Sequence, residues 1–189
     1  WYQEDENTQI FRLFKDEINV RNKRWYKPRI EAELRDHVTK SQVNNGAKWA
    51  EWSGTYTVTK PVKSIIFQIW GHSSEDLPLM LTMANDGRIR YNPRLDGKGW
   101  KTMIQDATNS SFHIRVRDYG NKYEVFLNGK YFAGRDYTRK DKGGHFRWGL
   151  YHSGEKVAKD FLMFVTGAQI KYSNDPNITT EPKPKGPEG

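Results

Sequence analysis

Polar and aromatic residues lie two or four positions apart in four short segments. Because alternate residues of a strand point to the same side of a sheet, each set would line one outward face. Together the faces would form a cationic groove in which arginines bind anionic groups and rings stack on sugars. The four sets are Arg29, Glu31, Glu33 and Arg35; Gln68, Trp70 and His72; His113, Arg115 and Arg117; and Arg147 and Tyr151.

A solvated face is the alternative interpretation of these sets, since antiparallel sheets are commonly polar on one side. It is favoured for Arg115 and Arg117 taken alone. The complete set favours a groove, because tryptophan and glutamine are not preferred on a face that only meets water.

The charge balance favours a polyanionic partner. The chain has 31 Lys and Arg against 23 Asp and Glu, which gives a net charge of +8 at pH 7. Nucleic acid, an anionic polysaccharide and an anionic surface all fit this excess. Aromatic residues make up 14% of the chain. Their rings suit stacked bases as well as sugar faces, so composition alone does not choose.

Length and composition exclude several other classes. The 189 residues fit one domain with tails at most. No run of about eighteen apolar residues occurs, so no membrane-spanning helix is expected. The chain has no cysteine, which excludes disulfides, thiolate zinc sites and a cysteine nucleophile. It begins at Trp1 and not at Met, from which we expect a processed start.

Hydrophobic residues with a period of two predict short strands. The turn signals between them are Asp86-Gly87, Asp96-Gly97, Asn128-Gly129 and Gly143-Gly144, of which Asn128-Gly129 is the clearest hairpin. We therefore predict an all-β protein, an antiparallel sandwich or barrel. The alternating sets are Ile65, Phe67 and Ile69; Leu77, Leu79, Leu81 and Met83; Phe112, Ile114 and Val116; Tyr123, Val125 and Leu127; and Phe146, Trp148 and Leu150.

The two ends of the chain differ from this pattern. Near the start, Ile10, Phe11, Phe14 and Ile18 fit one stripe of a short helix or, equally, an edge strand. The segment from Asn174 to Gly189 is rich in Pro, Lys, Gly and Glu, so we expect a disordered tail or linker. One domain would then cover residues 1–173.

Three segments, in this order, resemble motifs of the jelly-roll polysaccharide lyases, above all the family 7 alginate lyases and relatives that act on other polyuronates such as glucuronan. Glu31-Ala32-Glu33-Leu34-Arg35 is similar to an Arg-(Ser/Thr)-Glu-(Leu/Val)-Arg strand. Gln68-Ile69-Trp70-Gly71-His72 is similar to a Gln-(Ile/Val)-His strand, and the segment 145–153 to Tyr-Phe-Lys-Ala-Gly-X-Tyr-X-Gln. The resemblance implies a concanavalin A-like β-jelly roll.

Three positions depart from the family pattern. Glu31 stands where the first motif has its first arginine, and Arg29 is a substitute for it. Trp70 stands where the second motif has histidine, and His72 follows two residues later on the same face of a strand. Arg147 replaces the lysine of the third motif, which keeps the charge and adds a fork suited to carboxylates.

The resemblance implies β-elimination, in which a base removes the C5 proton of a uronate and an acid protonates the departing O4. Arg35 and Gln68 would neutralise the C5 carboxylate and stabilise the charge that develops on it. Tyr151 matches the family's catalytic tyrosine and would be the acid, and also the base where proton and leaving oxygen lie on one side. His72 is the candidate base near neutral pH. The expected substrate-binding residues are Arg29, Glu33, Trp70, Arg115, Arg117 and Arg147.

Other chemistries find less support in the sequence. A glycosidase needs two carboxylates about 5–10 Å apart, whereas Glu31 and Glu33 are neighbours on one strand face. The five histidines show no metal-ligand spacing. His152 alternates onto the core face, which predicts a packed histidine. We expect no cofactor, although a structural calcium ion stays open because backbone carbonyls leave no motif.

The leading hypothesis is a secreted or periplasmic, monomeric lyase of a uronate-containing anionic polysaccharide, of alginate or glucuronan type. It would have no nucleic-acid or membrane partner. The alternative is a non-catalytic carbohydrate-binding module or lectin on the same fold, which the missing family histidine favours. Nucleic-acid binding is a third hypothesis that draws on charge and aromatics alone.

Overall fold

The computed structural model describes residues 2–18, 29–34, 47–71, 77–93, 98–138, 145–152 and 156–175, and only the backbone at 2–4, 29, 30, 32–34 and 145. Every regular element among them is a strand, so the predicted all-β class is confirmed. No helix in this part of the chain has the length and hydrophobicity that a membrane span requires. The strands are β1 (Tyr2–Asp5), β2 (Thr8–Leu13), β3 (Arg29–Leu34), β4 (Ala50–Lys60), β5 (Ser64–Trp70), β6 (Leu79–Met83), β7 (Ile89–Pro93), β8 (Lys101–Ile104), β9 (Ser110–Asp118), β10 (Lys122–Leu127), β11 (Lys130–Asp136), β12 (His145–Tyr151) and β13 (Phe161–Tyr172).

The strands form two sheets, and the predicted antiparallel sandwich is confirmed. The seven-stranded sheet has the order β1-β2-β13-β4-β9-β10-β11, and the six-stranded sheet has the order β3-β12-β5-β6-β7-β8. Neighbouring strands in both sheets pair antiparallel. Several neighbours are distant in sequence, as with β12 between β3 and β5, so the fold depends on long-range pairing.

Aromatic side chains fill the space between the sheets. Trp52 on β4 is fully buried, and its ring centroid lies 4.9 Å from that of Phe67 on β5 and 5.6 Å from that of Trp148 on β12. The rings of Phe67 and Phe146 are 5.8 Å apart. Trp52 belongs to the seven-stranded sheet and its partners to the other. The two contacts of Trp52 therefore hold the sheets together, each adding about 0.5–1.5 kcal/mol beyond burial.

The alternation predicted for β12 is confirmed. Phe146, Trp148 and Leu150 are buried between the sheets, while Arg147 and Tyr151 are half-buried on the outer face. The burial of the three hydrophobic side chains fixes which way the polar ones point, since a shift of one residue would exchange the two faces.

The alternation predicted for β5 is wrong at its first residue. A β-bulge between Ile65 and Phe67 changes the register against β6. Phe67 and Ile69 still pack in the core, but Ile65 contacts an outer cluster with Leu77 and Met80. A bulge adds one residue to one strand, and this reverses the facing of everything before it.

The observed turns and chain ends agree in part with those predicted from the sequence. Asn128-Gly129 joins β10 to β11 with φ angles of 49° and 80°, so the predicted hairpin is confirmed. The segment at Ile10 and Phe11 is a strand and not a helix, but β1 is the edge and β2 lies inside the sheet. Asp96-Gly97, Gly143-Gly144 and most of the predicted tail, 176–189, lie outside the described residues.

Truncation of Phe67 tests the role of the inter-sheet aromatic contacts. We expect Phe67→Ala to lower the free energy of unfolding by about 3–5 kcal/mol, because it leaves a cavity beside Trp52. Urea unfolding followed by tryptophan fluorescence measures this loss. Ile18→Ala, at a side chain that is 40% exposed, should change the same free energy by about 0.5 kcal/mol or less. Equal effects of the two substitutions would contradict the assignment.

Candidate functional site

The outer face of the six-stranded sheet carries two rows of residues in register. The tyrosine row joins Arg29, Tyr151, Ile65, Thr82 and Arg90 on β3, β12, β5, β6 and β7. The amide row joins Glu33, Arg147, Gln68, Met80 and Asn92 on the same strands. Adjacent strands are about 4.8 Å apart, so neighbours in a row are close enough to bind one ligand.

Gln68 is held by a hydrogen bond that spans β12. Its side chain is 1% exposed, and Nε2 donates to Oε1 of Glu31 over 2.9 Å. The two residues lie on β5 and β3, about 10 Å apart as strands, and Glu31 is paired with Gly149 on the strand between them. Since Gly149 has no side chain, the two long side chains can meet above it.

Gly149 is itself constrained by its backbone. Its φ angle is 126°, a conformation that side chains of L-residues rarely adopt. The register between β12 and β5 also shifts between Trp148 and Tyr151. A glycine is therefore needed at this position both for the backbone and for the open space above it.

The amide of Gln68 is only half satisfied within the described part of the chain. An ionised carboxylate only accepts hydrogen bonds, so Gln68 must present its NH₂ group to Glu31. Oε1 of Gln68 is then buried with no hydrogen-bond partner among the described residues. Asn92, at the end of the same row, is 1% exposed, and within the described ranges its Oδ1 and Nδ2 have no partner either. Buried amides in this state are rare in proteins, and a bound ligand is one explanation.

Arg147 and Trp70 are stacked on each other. The guanidinium carbon of Arg147 lies 5.0 Å from the centroid of the Trp70 ring. This is a cation–π contact, and it holds the ring and the positive charge together beside Gln68. Trp70 thus has a definite structural partner at the position where the resembled motif has histidine.

Tyr151 lies on an apolar floor. Its half-buried ring packs against the cluster of Ile65, Leu77 and Met80, together with Trp70. The floor restricts the ring on one side and leaves the partly exposed side toward solvent. The structure therefore brings together Gln68, Trp70, Arg147 and Tyr151, four of the residues that the sequence selected.

Arg115 and Arg117 do not belong to this face, and the predicted common groove is wrong for them. β9 pairs with β4 and β10 in the seven-stranded sheet, so both side chains project from the opposite side of the sandwich. Nε of Arg117 donates to Oε2 of the buried Glu51 over 2.8 Å, and Arg115 Nε is 3.9 Å from the same oxygen. Arg115 also stacks on Phe126 at 4.1 Å. The pair compensates a buried carboxylate.

Four of the predicted site residues lie wholly or partly outside the described structure. Arg35 and His72 lie outside the described residues. Arg29 and Glu33 have register positions in the tyrosine row and the amide row, with only their backbone described. The packed histidine predicted at His152 is confirmed, since it is 5% exposed and its Nδ1 lies 2.6 Å from the carbonyl oxygen of Lys63.

Sequence reasoning missed the role of Glu31 and the outer-face positions of Asn92 and Arg90. The alternation of Ile89 and Tyr91 with Arg90 and Asn92 was the available signal, because it has the period of a half-buried strand. The charge of Glu31 also reaches the core. Burial raises the pKa of Tyr56 well above its usual value, and Glu31 raises it further. Within the described ranges, no group of three His, Asp or Glu side chains could hold a metal ion.

The comparisons with known proteins identify the fold. No protein-family model matches the sequence, and the curated proteins give no significant match. Solved structures of alginate lyases match over about nine tenths of the chain, so the predicted jelly-roll sandwich, and with it the resemblance to family 7 alginate lyases, is confirmed at the level of the fold.

Three of these structures illustrate the match. A marine family 7 alginate lyase from Zobellia galactanivorans has 15% identity and a TM-score of 0.67, over 91% of this chain and 80% of that one. An alginate lyase from a Corynebacterium species has 15% identity and a TM-score of 0.67, over 92% and 81%. One from an Alteromonas species has 13% identity and a TM-score of 0.61, over 89% and 88%.

Substitution of Gly149 tests the constraint at the centre of the site. We expect Gly149→Ala to lower the free energy of unfolding by about 1–3 kcal/mol, because a side chain at this φ strains the backbone. Gly129→Asn is the control, since its φ of 80° with nothing within 4 Å of an added Cβ suits asparagine. Urea unfolding of both variants measures the difference. A Gly149→Ala variant as stable as the control would contradict the account.

Proposed function

We propose that the protein is a polysaccharide lyase that cleaves a uronate-containing anionic polysaccharide, of alginate or glucuronan type, by β-elimination. The observation that carries the proposal is the grouping of Gln68, Arg147 and Tyr151 on one face of the sandwich. The alginate-lyase fold supports it, and so does the net charge of +8.

The first step is recognition of the uronate carboxylate. The C5 proton of a uronate becomes acidic enough to remove only when the adjacent carboxylate is neutralised. Arg147, directly opposite Gln68 on the neighbouring strand, supplies a positive charge beside this carboxylate. By resemblance Arg35 and Gln68 complete the set. Because Glu31 accepts one hydrogen of the Gln68 NH₂ group, Gln68 would donate the second one, and these preorganised donors stabilise the charge that develops on the carboxylate.

The second step moves two protons. A base removes the C5 proton, the C5 electron pair forms the C4=C5 double bond, and the C4–O4 bond breaks. Tyr151 donates its phenolic proton to the departing O4. His72 is the candidate base. Where the proton and the leaving oxygen lie on the same side of the sugar, the phenolic oxygen of Tyr151 instead takes the C5 proton and passes this same proton to O4. Every step uses side chains of the chain, so we propose no cofactor.

Trp70 changes the expected site in one respect. Arg147 is stacked on the Trp70 ring at 5.0 Å. The ring lines the groove but has no group that could take up a proton. A base must then come from another position. This divergence supports a substrate preference that differs from that of the alginate lyases with a histidine there.

A carbohydrate-binding module is the second candidate. It is favoured by the same Trp70, and by the bond between Gln68 and Glu31, because that bond engages an amide group that a lyase would direct at the carboxylate. Such a module would bind a polyuronate without creating new chain ends.

We propose that the protein acts outside the cytoplasm, because its polymeric substrate is found there. We also propose that it acts as a monomer. Neither nucleic acid nor a membrane is among the proposed partners. The substrate is the one partner that the cationic outer face requires.

Removal of the phenol of Tyr151 tests the proposed mechanism. We expect Tyr151→Phe to lower kcat by about a hundredfold or more, since general acid catalysis contributes roughly that much, and to leave substrate affinity within about threefold. The ultraviolet absorbance of the conjugated C4=C5 bond measures turnover, and calorimetry measures binding. Tyr131→Phe, at an exposed tyrosine of the seven-stranded sheet, is the control. Full turnover by Tyr151→Phe would remove the phenol from the mechanism.

Neutralisation of Glu31 tests the electrostatics of the site. Glu31→Gln keeps an oxygen that accepts from Gln68 but removes a negative charge that repels a uronate. We expect KM to fall about fivefold, which corresponds to about 1 kcal/mol of repulsion. Asp136→Asn on β11 removes an exposed charge from the other sheet and should leave KM unchanged. An unchanged or higher KM for Glu31→Gln would show that this carboxylate does not oppose the substrate.

A further inference from the structure

A cavity of about 370 Å³ opens on the outer face of the six-stranded sheet, next to Tyr151. Three members of the tyrosine row, Ile65, Thr82 and Arg90, line it. Tyr151 is the neighbour of Ile65 in that row. The cavity therefore continues the site described above toward β7 and has a shared apolar floor with it.

The cavity is cationic. Lys63 and Arg90 line it, and no carboxylate belongs to its described lining. Neither side chain forms a salt bridge or hydrogen bond within the described ranges. By contrast, Arg12 and Arg88 each bind an aspartate. Two cations around one cavity, with no counter-ion in the part of the chain that the structure describes, favour an anionic ligand.

The wall of the cavity carries an exposed aromatic ring. Trp100 is 47% exposed and lines the same cavity. Large exposed hydrophobic side chains are few in the described part of this protein, and a tryptophan beside cations offers a flat surface on which the C–H face of a sugar can stack. Charge and ring together select an anionic sugar over a free phosphate or a peptide.

We propose that this cavity is a second subsite, which binds the carboxylate of another uronate unit of the same polysaccharide chain through Arg90 and Lys63, with Trp100 stacked on the sugar. This inference rests on the proposed function. Arg90 is three strand spacings from Tyr151, about 14 Å, which is farther than one sugar ring can reach. The unit bound here is therefore distinct from the unit that undergoes elimination, and longer oligosaccharides gain contacts that shorter ones lack.

The length dependence of turnover tests the subsite. For oligouronates of increasing length, kcat/KM of the wild type should rise once the chain reaches the cavity. In Arg90→Gln we expect this increment to shrink about tenfold through KM, with kcat nearly unchanged, because the lost contact is made equally in ground and transition states. Arg90→Lys should restore part of it. Lys171→Gln, an exposed cation on β13, should behave like the wild type. Identical length dependence in wild type and Arg90→Gln would overturn the subsite.

Binding separates a failure of the subsite from a failure of the lyase proposal. If the wild type cleaves no polymer, calorimetry with a saturated hexauronate still tests the cavity. About tenfold weaker binding of the hexauronate by Arg90→Gln and by Trp100→Ala, together with unchanged binding of a neutral hexasaccharide by Arg90→Gln, would support it. Equal affinities of wild type and both variants for the hexauronate would overturn it. Equal weakening of neutral-sugar binding by Arg90→Gln would overturn the assignment of the cations to a carboxylate.

Discussion

The pairing of β12 with β3 on one side and β5 on the other is the constraint on which the site depends. Phe146, Trp148 and Leu150 anchor this strand in the core, where Trp148 packs against Trp52 of the other sheet. Their burial forces Arg147 and Tyr151 outward. The register then places those two side chains in rows with residues of four other strands. The chemistry of the outer face is thus a consequence of core packing, which is why a change in the core would be felt at the site.

Two unusual contacts distinguish this outer face from a plain cationic groove. Glu31 brings a carboxylate to the centre and holds Gln68 across Gly149, while Arg147 covers Trp70. Both contacts fix side chains that would otherwise be free to meet a ligand, and both use residues at positions where the resembled motifs differ. A negative charge in the site and a cation over a ring preorganise the face. Within the described ranges the buried oxygen of Gln68 keeps no hydrogen-bond partner, and the neighbouring cavity is lined by two cations, Lys63 and Arg90.

The sequence predicted the sandwich from alternation within single strands and the hairpin from the turn signal Asn128-Gly129. It predicted the grouping of Gln68, Trp70, Arg147 and Tyr151 from alternation combined with the motifs of the resembled family. It failed where the outcome depends on pairing between strands. The placement of Arg115 on the opposite sheet is a property of topology, and the outward turn of Ile65 is caused by a bulge. In the sequence, Glu31 is visible only as a replacement of the first arginine of the motif. Its contact with Gln68 depends on the register, which places Glu31 opposite Gly149. Arg90 and Asn92 were overlooked because a short strand of five residues carries a weak signal.

The proposed function requires that this face perform elimination and not hydrolysis or binding alone. The most direct measurement is mass spectrometry of the products formed by the wild-type protein from alginate blocks, glucuronan and glycosaminoglycans. We expect, for at least one uronate polymer, oligosaccharides whose new non-reducing ends are unsaturated and lack one water relative to hydrolysis products. Saturated ends, or polymers that are retained by the protein but stay intact, would contradict it.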